Sequence, residues 1–109
     1  MCQMSLVYDS FASKRRVRVR TDGHRSEFKL EARDGILRCS DDKGFELKIK
    51  LASVTQRVED LDLFMIPAAL IECRLSNGDA IKCDGYACLE SQEIRIDSAD
   101  HQWFWLSIA

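Results

Sequence analysis

Each of the five glycines in this chain follows a polar residue, and these pairs constrain the fold more than any other feature. They have the composition of tight turns and lie at Asp22-Gly23, Asp34-Gly35, Lys43-Gly44, Asn77-Gly78 and Asp84-Gly85. Asp-Gly and Asn-Gly favour the positive φ angles that short hairpin loops require. Turns this close together leave room for strands and little room for long helices, so the sequence predicts a fold built mainly from β-hairpins.

Cross-strand pairing tests three of these turns, because residues opposite each other in a hairpin share one face of the sheet. Two-residue turns at 22–23 and 34–35 match apolar residues with apolar ones, and each register sets one arginine opposite a glutamate. The predicted pairs are Val17 with Phe28, Arg18 with Glu27, Leu30 with Cys39, Glu31 with Arg38 and Ala32 with Leu37. A loop at 76–78, with Gly78 in the left-handed region, is needed to set Cys73 opposite Ile81.

The apolar alternation between the turns extends these hairpins into two groups of strands. The predicted strands are 15–20, 27–33, 36–40 and 45–51, followed by 69–75, 79–83, 86–89 and 92–97. The only proline, Pro67, predicts a break before the second group, because proline disfavours helical conformation at the residue that precedes it.

Two short helices are predicted to interrupt the strands. Ser53 and Gln56 form a capping box, which predicts a helix that ends near Asp60. A second helix is predicted from Ala99, although the run 103–106 is apolar throughout and a final strand is the alternative. The elements together predict one domain over residues 1–109, a small antiparallel β-roll or half-open barrel, mainly β, with one internal and one C-terminal helix. An α+β fold is the alternative.

The order of these elements resembles that of a pleckstrin-homology-like domain over most of the chain. The apolar and turn positions that carry the resemblance are Phe28, Leu30, Gly35, Leu37, Phe45, Ile49, Leu51, Ile94, Ile96 and Trp103. The resemblance implies a seven-stranded half-open barrel that a C-terminal helix plugs. The series Lys14, Arg16, Arg18 is similar to the basic first hairpin of members that bind phosphoinositides, which implies an anionic headgroup as a possible ligand.

The five cysteines indicate the compartment rather than a reaction. Their number is odd and no Cys-x-x-Cys pair exists, so reduced thiols in an intracellular, cytoplasmic protein fit better than a disulfide framework. The pairing above sets Cys39, Cys73 and Cys83 on inward strand faces, where free cysteine is commonly a small core residue. The chain shows neither a signal peptide nor an apolar run of the roughly 18 residues that a membrane span needs.

Catalysis and cofactors are not predicted. Four compactly spaced zinc ligands are missing, and every glycine is assigned to a turn, which leaves no glycine-rich phosphate loop. A thiol enzyme, for example with Cys88 and His101 as nucleophile and base, or a metal-binding protein remains a minor alternative. Nucleic acid is disfavoured as a partner because the isoelectric point is about 5.7 and no aromatic residue alternates with the arginines.

Charge is distributed unevenly along the chain. Residues 1–50 contain 12 Lys and Arg against 8 Asp and Glu, whereas residues 51–109 contain 4 against 10. Strand 15–20 alternates valine with arginine, so its arginines face outward. The candidate partner- or anion-binding residues at this hairpin are Lys14, Arg16, Arg18, Arg20, His24, Arg25 and Lys29. The predicted register sets Arg16 opposite Lys29 and Arg20 opposite Arg25, which costs stability unless an anionic group lies between them.

The aromatic C-terminus is the second candidate interface. Trp103, Phe104 and Trp105 cannot all point inward from one element, so at least one is expected at the surface, where tryptophan is a frequent interface anchor. For the basic hairpin, the alternative is a solvated edge strand without a partner. For the aromatic C-terminus, the alternative is a terminal element packed over the barrel. We therefore expect a non-catalytic binding module that docks a protein partner through the basic hairpin, the aromatic C-terminus or both, with phosphoinositide or another anionic ligand as the alternative.

Overall fold

The computed structural model describes residues 4–21, 24–51, 63–98 and 103–108. Within these ranges the chain forms one α-helix, one 3-10 turn at Ala68–Leu70 and nine strands. The helix is α1 (Met4–Ala12), and the strands are β1 (Arg16–Thr21), β2 (His24–Arg33), β3 (Ile36–Ser40), β4 (Glu46–Lys50), β5 (Leu63–Ile66), β6 (Ile71–Arg74), β7 (Ala80–Cys88), β8 (Glu93–Ser98) and β9 (Trp103–Ile108).

The strands close into an antiparallel barrel with eight positions. Neighbouring strands follow the order β7-β6-β4-β3-β2-β1-β9-β8, and β8 pairs back with β7. β5 and β6 are separated in sequence by Pro67 and the 3-10 turn, and both pair with the same edge of β7. The two strands therefore occupy one position in the ring. The strands that pair are neighbours in sequence except in three places: β4 pairs with β6, β5 pairs with β7, and β9 pairs with β1. We call this contact, between the last strand and the first, the seam.

Alternation of side chains fills the barrel interior. In β1, Val17 and Val19 are buried while the arginines between them are exposed, as a strand with one face on the core requires. The largest fully buried side chains are Phe11, Leu37, Leu47, Ile49, Leu51, Ile66, Ile94, Ile96, Leu106, Val7 and Val17. Smaller or less deeply buried side chains complete the ring, with Phe28 and Leu30 from β2, Ile71 from β6, and Cys83 and Ala87 from β7, so the interior is a packed core.

Helix α1 covers one end of this barrel. Val7 and Phe11, spaced i and i+4 on one face, are each 1% exposed. The helix contacts β2 and β3 on one side of the ring and β7 on the opposite side. It therefore crosses the end at which β1 begins, and burial of its two apolar side chains contributes roughly 1.5–3 kcal/mol each. No helix among the described residues is long and apolar enough to cross a membrane.

The predicted hairpin registers are confirmed. Val17 lies opposite Phe28, Leu30 opposite Cys39 and Cys73 opposite Ile81. The turn at 34–35 has two residues, with φ angles of 55° and 79°. The loop at 76–78 has three residues, with φ of 93° at Gly78. The mainly β class and the break at Pro67 are also confirmed, while turn 22–23 and the predicted helix ending near Asp60 lie outside the described residues.

The prediction of a C-terminal helix is wrong over residues 103–108, which form β9. This strand pairs with β1 along one edge and with β8 along the other. A helix here would leave both neighbouring edges without partners, and unpaired strand edges are costly. Its pairing also corrects the half-open architecture, because β9 supplies the strand that closes the ring.

Gly85 is likewise a strand residue and not a turn residue. It lies in the middle of β7, opposite Ile96 on β8 and Ile66 on β5. A Cβ atom at this position would lie 2.7 Å from the carbonyl oxygen of Arg95 and 3.0 Å from Cδ1 of Ile71. Glycine is needed here for close approach of neighbouring strands, so the two predicted strands 79–83 and 86–89 are one.

Candidate functional site

The seam brings the two sequence-predicted interfaces together. In the β1–β9 register Arg20 lies opposite Trp105 and Arg18 lies opposite Ser107. On the other edge of β1, Arg20 lies opposite Arg25 of β2. Beyond Trp105 the same row continues to Arg95 of β8. The basic hairpin and the aromatic C-terminal strand are thus two parts of one outer surface.

We call this the seam surface and define it by its outward-facing side chains on β2, β1 and β9. They are Arg16, Arg18, Arg20, Arg25, Lys29 and Trp105. The five cations are exposed and the tryptophan is half-buried. A partly exposed tryptophan next to arginine has the composition of an interface centre, since both residue types are enriched among interface hot spots.

Trp105 lies between two guanidinium groups. The Cζ atoms of Arg20 and Arg95 are 5.7 Å and 5.5 Å from the centre of its ring, which is within cation–π range. Arg95 is also held by Asp97, with 2.9 Å between Nε and Oδ1. Arg20 forms no ion pair with any described residue, so its guanidinium retains donors for an external acceptor.

The cations of the basic hairpin outnumber the acidic groups that could neutralise them. Glu27 lies opposite Arg18 in the register. Its carboxylate instead forms an ion pair with Arg16, at 3.9 Å between exposed side chains. Arg18, Arg25 and Lys29 form no ion pair in the described part of the chain. The register also confirms the two like-charge pairs, Arg16 with Lys29 and Arg20 with Arg25, and these pairs favour a bound anion.

The remaining residues of the predicted sites are distributed differently. Lys14 is exposed between α1 and β1, where its amide donates to the Phe11 carbonyl. Phe104 is 7% exposed and packs 5.5 Å from the ring of Phe45, so it belongs to the core. For His24 and Trp103 the structure describes the backbone only, in β2 and β9.

A groove adjoins the seam surface on the side of β7 and β8. It has a volume of about 610 Å³, and Arg20, Leu63, Tyr86, Cys88, Arg95 and Trp105 are among the residues that line it. Leu63 and Tyr86 did not emerge from the sequence, because β5 was not predicted and a single tyrosine in a strand carries no functional signal. The alternation of residues in the sequence of β7 predicts that Tyr86 faces outward. The same pattern could not predict that Tyr86 and Trp105 line one groove, as they do in the structure.

The cysteines lie where the registers predicted them. Cys39, Cys73 and Cys83 are buried and are not disulfide-bonded. Burial raises the pKa of Cys39 to about 12, and a hydrogen bond with the Cys83 thiol together with burial raises the pKa of Cys73. Because the thiolate is the reactive form, the thiols of Cys39 and Cys73 are poor nucleophiles and poor metal ligands. Among the described residues no cluster of His, Cys, Asp and Glu could hold a metal ion.

Comparison with known proteins adds no relative to this description. No protein-family model matches the chain, and neither a curated protein nor a solved structure matches it significantly. The function is therefore argued from the geometry of the seam surface and its groove.

Proposed function

We propose that this domain is a non-catalytic binding module that docks an acidic protein partner on the seam surface. The observation that carries the proposal is the β1–β9 pairing, which sets Arg20 beside Trp105. One partner can therefore contact the cations of β1 and β2 and the aromatic ring of β9 at the same time. Charge complementarity of this kind speeds association and selects against basic partners.

The spacing of the cations favours an extended acidic segment over a single phosphate group. Alternate residues of a strand are about 6.6–6.8 Å apart, so the guanidinium groups of Arg16, Arg18 and Arg20 form a row rather than one pocket. The carboxylates at alternate positions of an extended peptide have the same spacing. A compact phosphate group would meet one or two of these cations and leave the others without an acceptor.

The test uses charge reversal on the seam surface with a matched control. The test variant is Arg18→Glu/Arg20→Glu. The control is Arg74→Glu/Lys82→Glu, which makes the same charge change on β6 and β7, far around the ring. All four side chains are exposed, so each substitution should change the free energy of unfolding by about 0.5 kcal/mol. Arg20→Glu also removes the cation–π contact with Trp105, so its change can reach about 1 kcal/mol.

Immobilised wild-type protein and both variants are incubated with an extract of the cells that produce the protein, and bound proteins are identified by mass spectrometry. We expect a partner that the wild type and the control retain and the test variant loses. It should elute as salt rises, because the screening length falls from about 8 Å at physiological ionic strength to about 3 Å at 1 M. A partner retained equally by the test variant contradicts the proposal.

The same three proteins are also tested on phosphoinositide-containing vesicles. Two results together would overturn the proposal: vesicle binding that is lost in Arg18→Glu/Arg20→Glu, and no protein partner that is lost in the same variant. The ligand would then be the phosphoinositide headgroup that the pleckstrin-homology-like resemblance implies.

A further inference from the structure

We infer that the groove beside Trp105 receives one apolar side chain of the partner. The acidic residues of the same partner bind next to it, on the seam surface. This inference rests on the proposed function and specifies the partner: an extended segment in which carboxylates alternate along one face and a leucine-like or aromatic anchor follows. The groove and the seam surface share Arg20 and Trp105, so one continuous segment can reach both.

The groove has apolar and aromatic lining residues and room for such an anchor. Leu63, Tyr86, Cys88 and Trp105 line it, and each is half-buried. Its volume of about 610 Å³ falls within the range of roughly 300–1,000 Å³ that is usual for binding pockets. Half-buried aromatic rings lose their remaining hydration when an apolar side chain covers them, and this burial stabilises the complex.

The charges around the groove set the direction of the segment. On the β1 side the groove ends at Arg20, beyond which lie Arg18 and Arg25. On the β8 side it contains Glu93 and Asp97, and Asp97 already accepts the hydrogen bond from Arg95. Carboxylates of the partner are attracted to the first side and repelled by Glu93 on the second. The part of the partner that enters the groove therefore carries no carboxylate.

The apolar and the charged contacts have different roles in binding. The exposed arginines act over a screening length and mainly raise the rate of association. The anchor in the groove is desolvated and mainly slows dissociation, as buried anchors do at interface centres. A segment that carried only carboxylates would consequently bind weakly and dissociate fast.

The experiment selects peptides on the intact chain. A random dodecapeptide phage library is panned on immobilised wild-type protein, and an enriched peptide is synthesised with two substituted forms, one with its apolar anchor changed to alanine and one with its acidic residues changed to glutamine. We expect enriched peptides to combine acidic residues with one large apolar residue. Loss of the anchor should weaken binding to the wild type by roughly tenfold or more, which corresponds to about 1.4 kcal/mol.

Protein variants locate the anchor. Tyr86→Ala and Leu63→Ala should each weaken binding of the enriched peptide, whereas Ile36→Ala, a half-buried side chain on β3, should leave it within about twofold. Thermal unfolding checks that each variant folds, and the substituted peptides test the inference on wild-type protein in any case. The association rate should fall with salt more steeply than the dissociation rate rises.

Two outcomes separate this inference from the proposed function. If the peptide loses affinity for Arg18→Glu/Arg20→Glu but binds both groove variants as tightly as wild type, the groove inference is overturned and the acidic-partner function stands. If enriched peptides are not acidic and bind the arginine variant as well as wild type, the proposed function itself is overturned.

Discussion

Replacement of Phe104 by alanine tests the strand that closes the barrel. Phe104 is 7% exposed, and its ring lies 5.5 Å from that of Phe45, which in turn packs 5.4 Å from Phe28. Removal of a buried phenylalanine costs about 3–5 kcal/mol, of which the aromatic contact accounts for about 0.5–1.5 kcal/mol. This is a large part of the roughly 5–15 kcal/mol that stabilises a domain.

Trp105→Ala is the matched control, since the larger ring faces outward on the same strand. It is half-buried, and its loss removes two cation–π contacts worth about 0.5–1 kcal/mol each at an exposed site. We therefore expect Phe104→Ala to destabilise the protein more than Trp105→Ala. Urea denaturation followed by far-ultraviolet circular dichroism measures both variants, because this signal does not depend on the substituted tryptophan.

The order of the two effects decides between the strand and a helix. In the strand, Phe104 and Leu106 face the core while Trp105 lies outside. In a helix from Ala99, Trp103 and Leu106 would share the buried face at i and i+3, with Phe104 turned away. If Trp105→Ala proved as costly as Phe104→Ala, or if Phe104→Ala cost less than about 1 kcal/mol, the β9 assignment would be refuted.

Two further predictions concern stability. Gly85→Ala should destabilise the protein by about 1–3 kcal/mol, because the new methyl group meets the Arg95 carbonyl at 2.7 Å; an unchanged urea midpoint would show that the strands separate easily. Burial raises the pKa of Cys39 from 9.0 to about 12. As pH rises above 9, the unfolded chain therefore loses the Cys39 proton before the folded protein does. The free energy of unfolding should fall by up to about 1.4 kcal/mol per pH unit for this thiol. Urea titrations from pH 8.5 to 10.5 should give a shallower fall for Cys39→Ala than for wild type, and equal slopes would contradict the burial of this thiol.

Local interactions were predictable from the sequence. A hairpin depends on its turn residues and on pairs a few positions away, and both could be tested on the printed residues. The registers around Gly35 and Gly78 followed in this way, and so did the inward positions of the three buried cysteines. Gly85 shows where the same reasoning fails, because a glycine required by a neighbouring strand has the same letter as a glycine required by a turn.

Contacts between distant parts of the chain were not predictable. β9 contains mainly apolar residues, so its pattern fits a buried helix as well as a strand. What decides is the pair of free edges on β1 and β8, which exists only after the other strands have formed. β5 is short and directly precedes Pro67, and both features hide a strand. Helix α1 could have been found, since Val7 and Phe11 have helical spacing.

The candidate site was predictable in its parts but not in its arrangement. The arginines of β1 alternate with valines, and that pattern alone places them outside. Trp105 was one of three aromatic residues of which at least one had to be at the surface. Nothing in the sequence relates position 20 to position 105, because their contact arises from closure of the ring.

Closure of the barrel and formation of the candidate site are consequently one event. The seam joins β1 to β9, so in the unfolded chain the arginines and Trp105 are separated by most of its length and the proposed surface does not exist. A partner bound across the seam contacts only the folded state, and it stabilises that state by RT ln(1 + [L]/Kd), about 2.7 kcal/mol at a hundredfold excess over Kd. A segment that spans β2, β1 and β9 would hold the first and last strands together, so occupancy of the seam surface should oppose opening of the barrel where it closes.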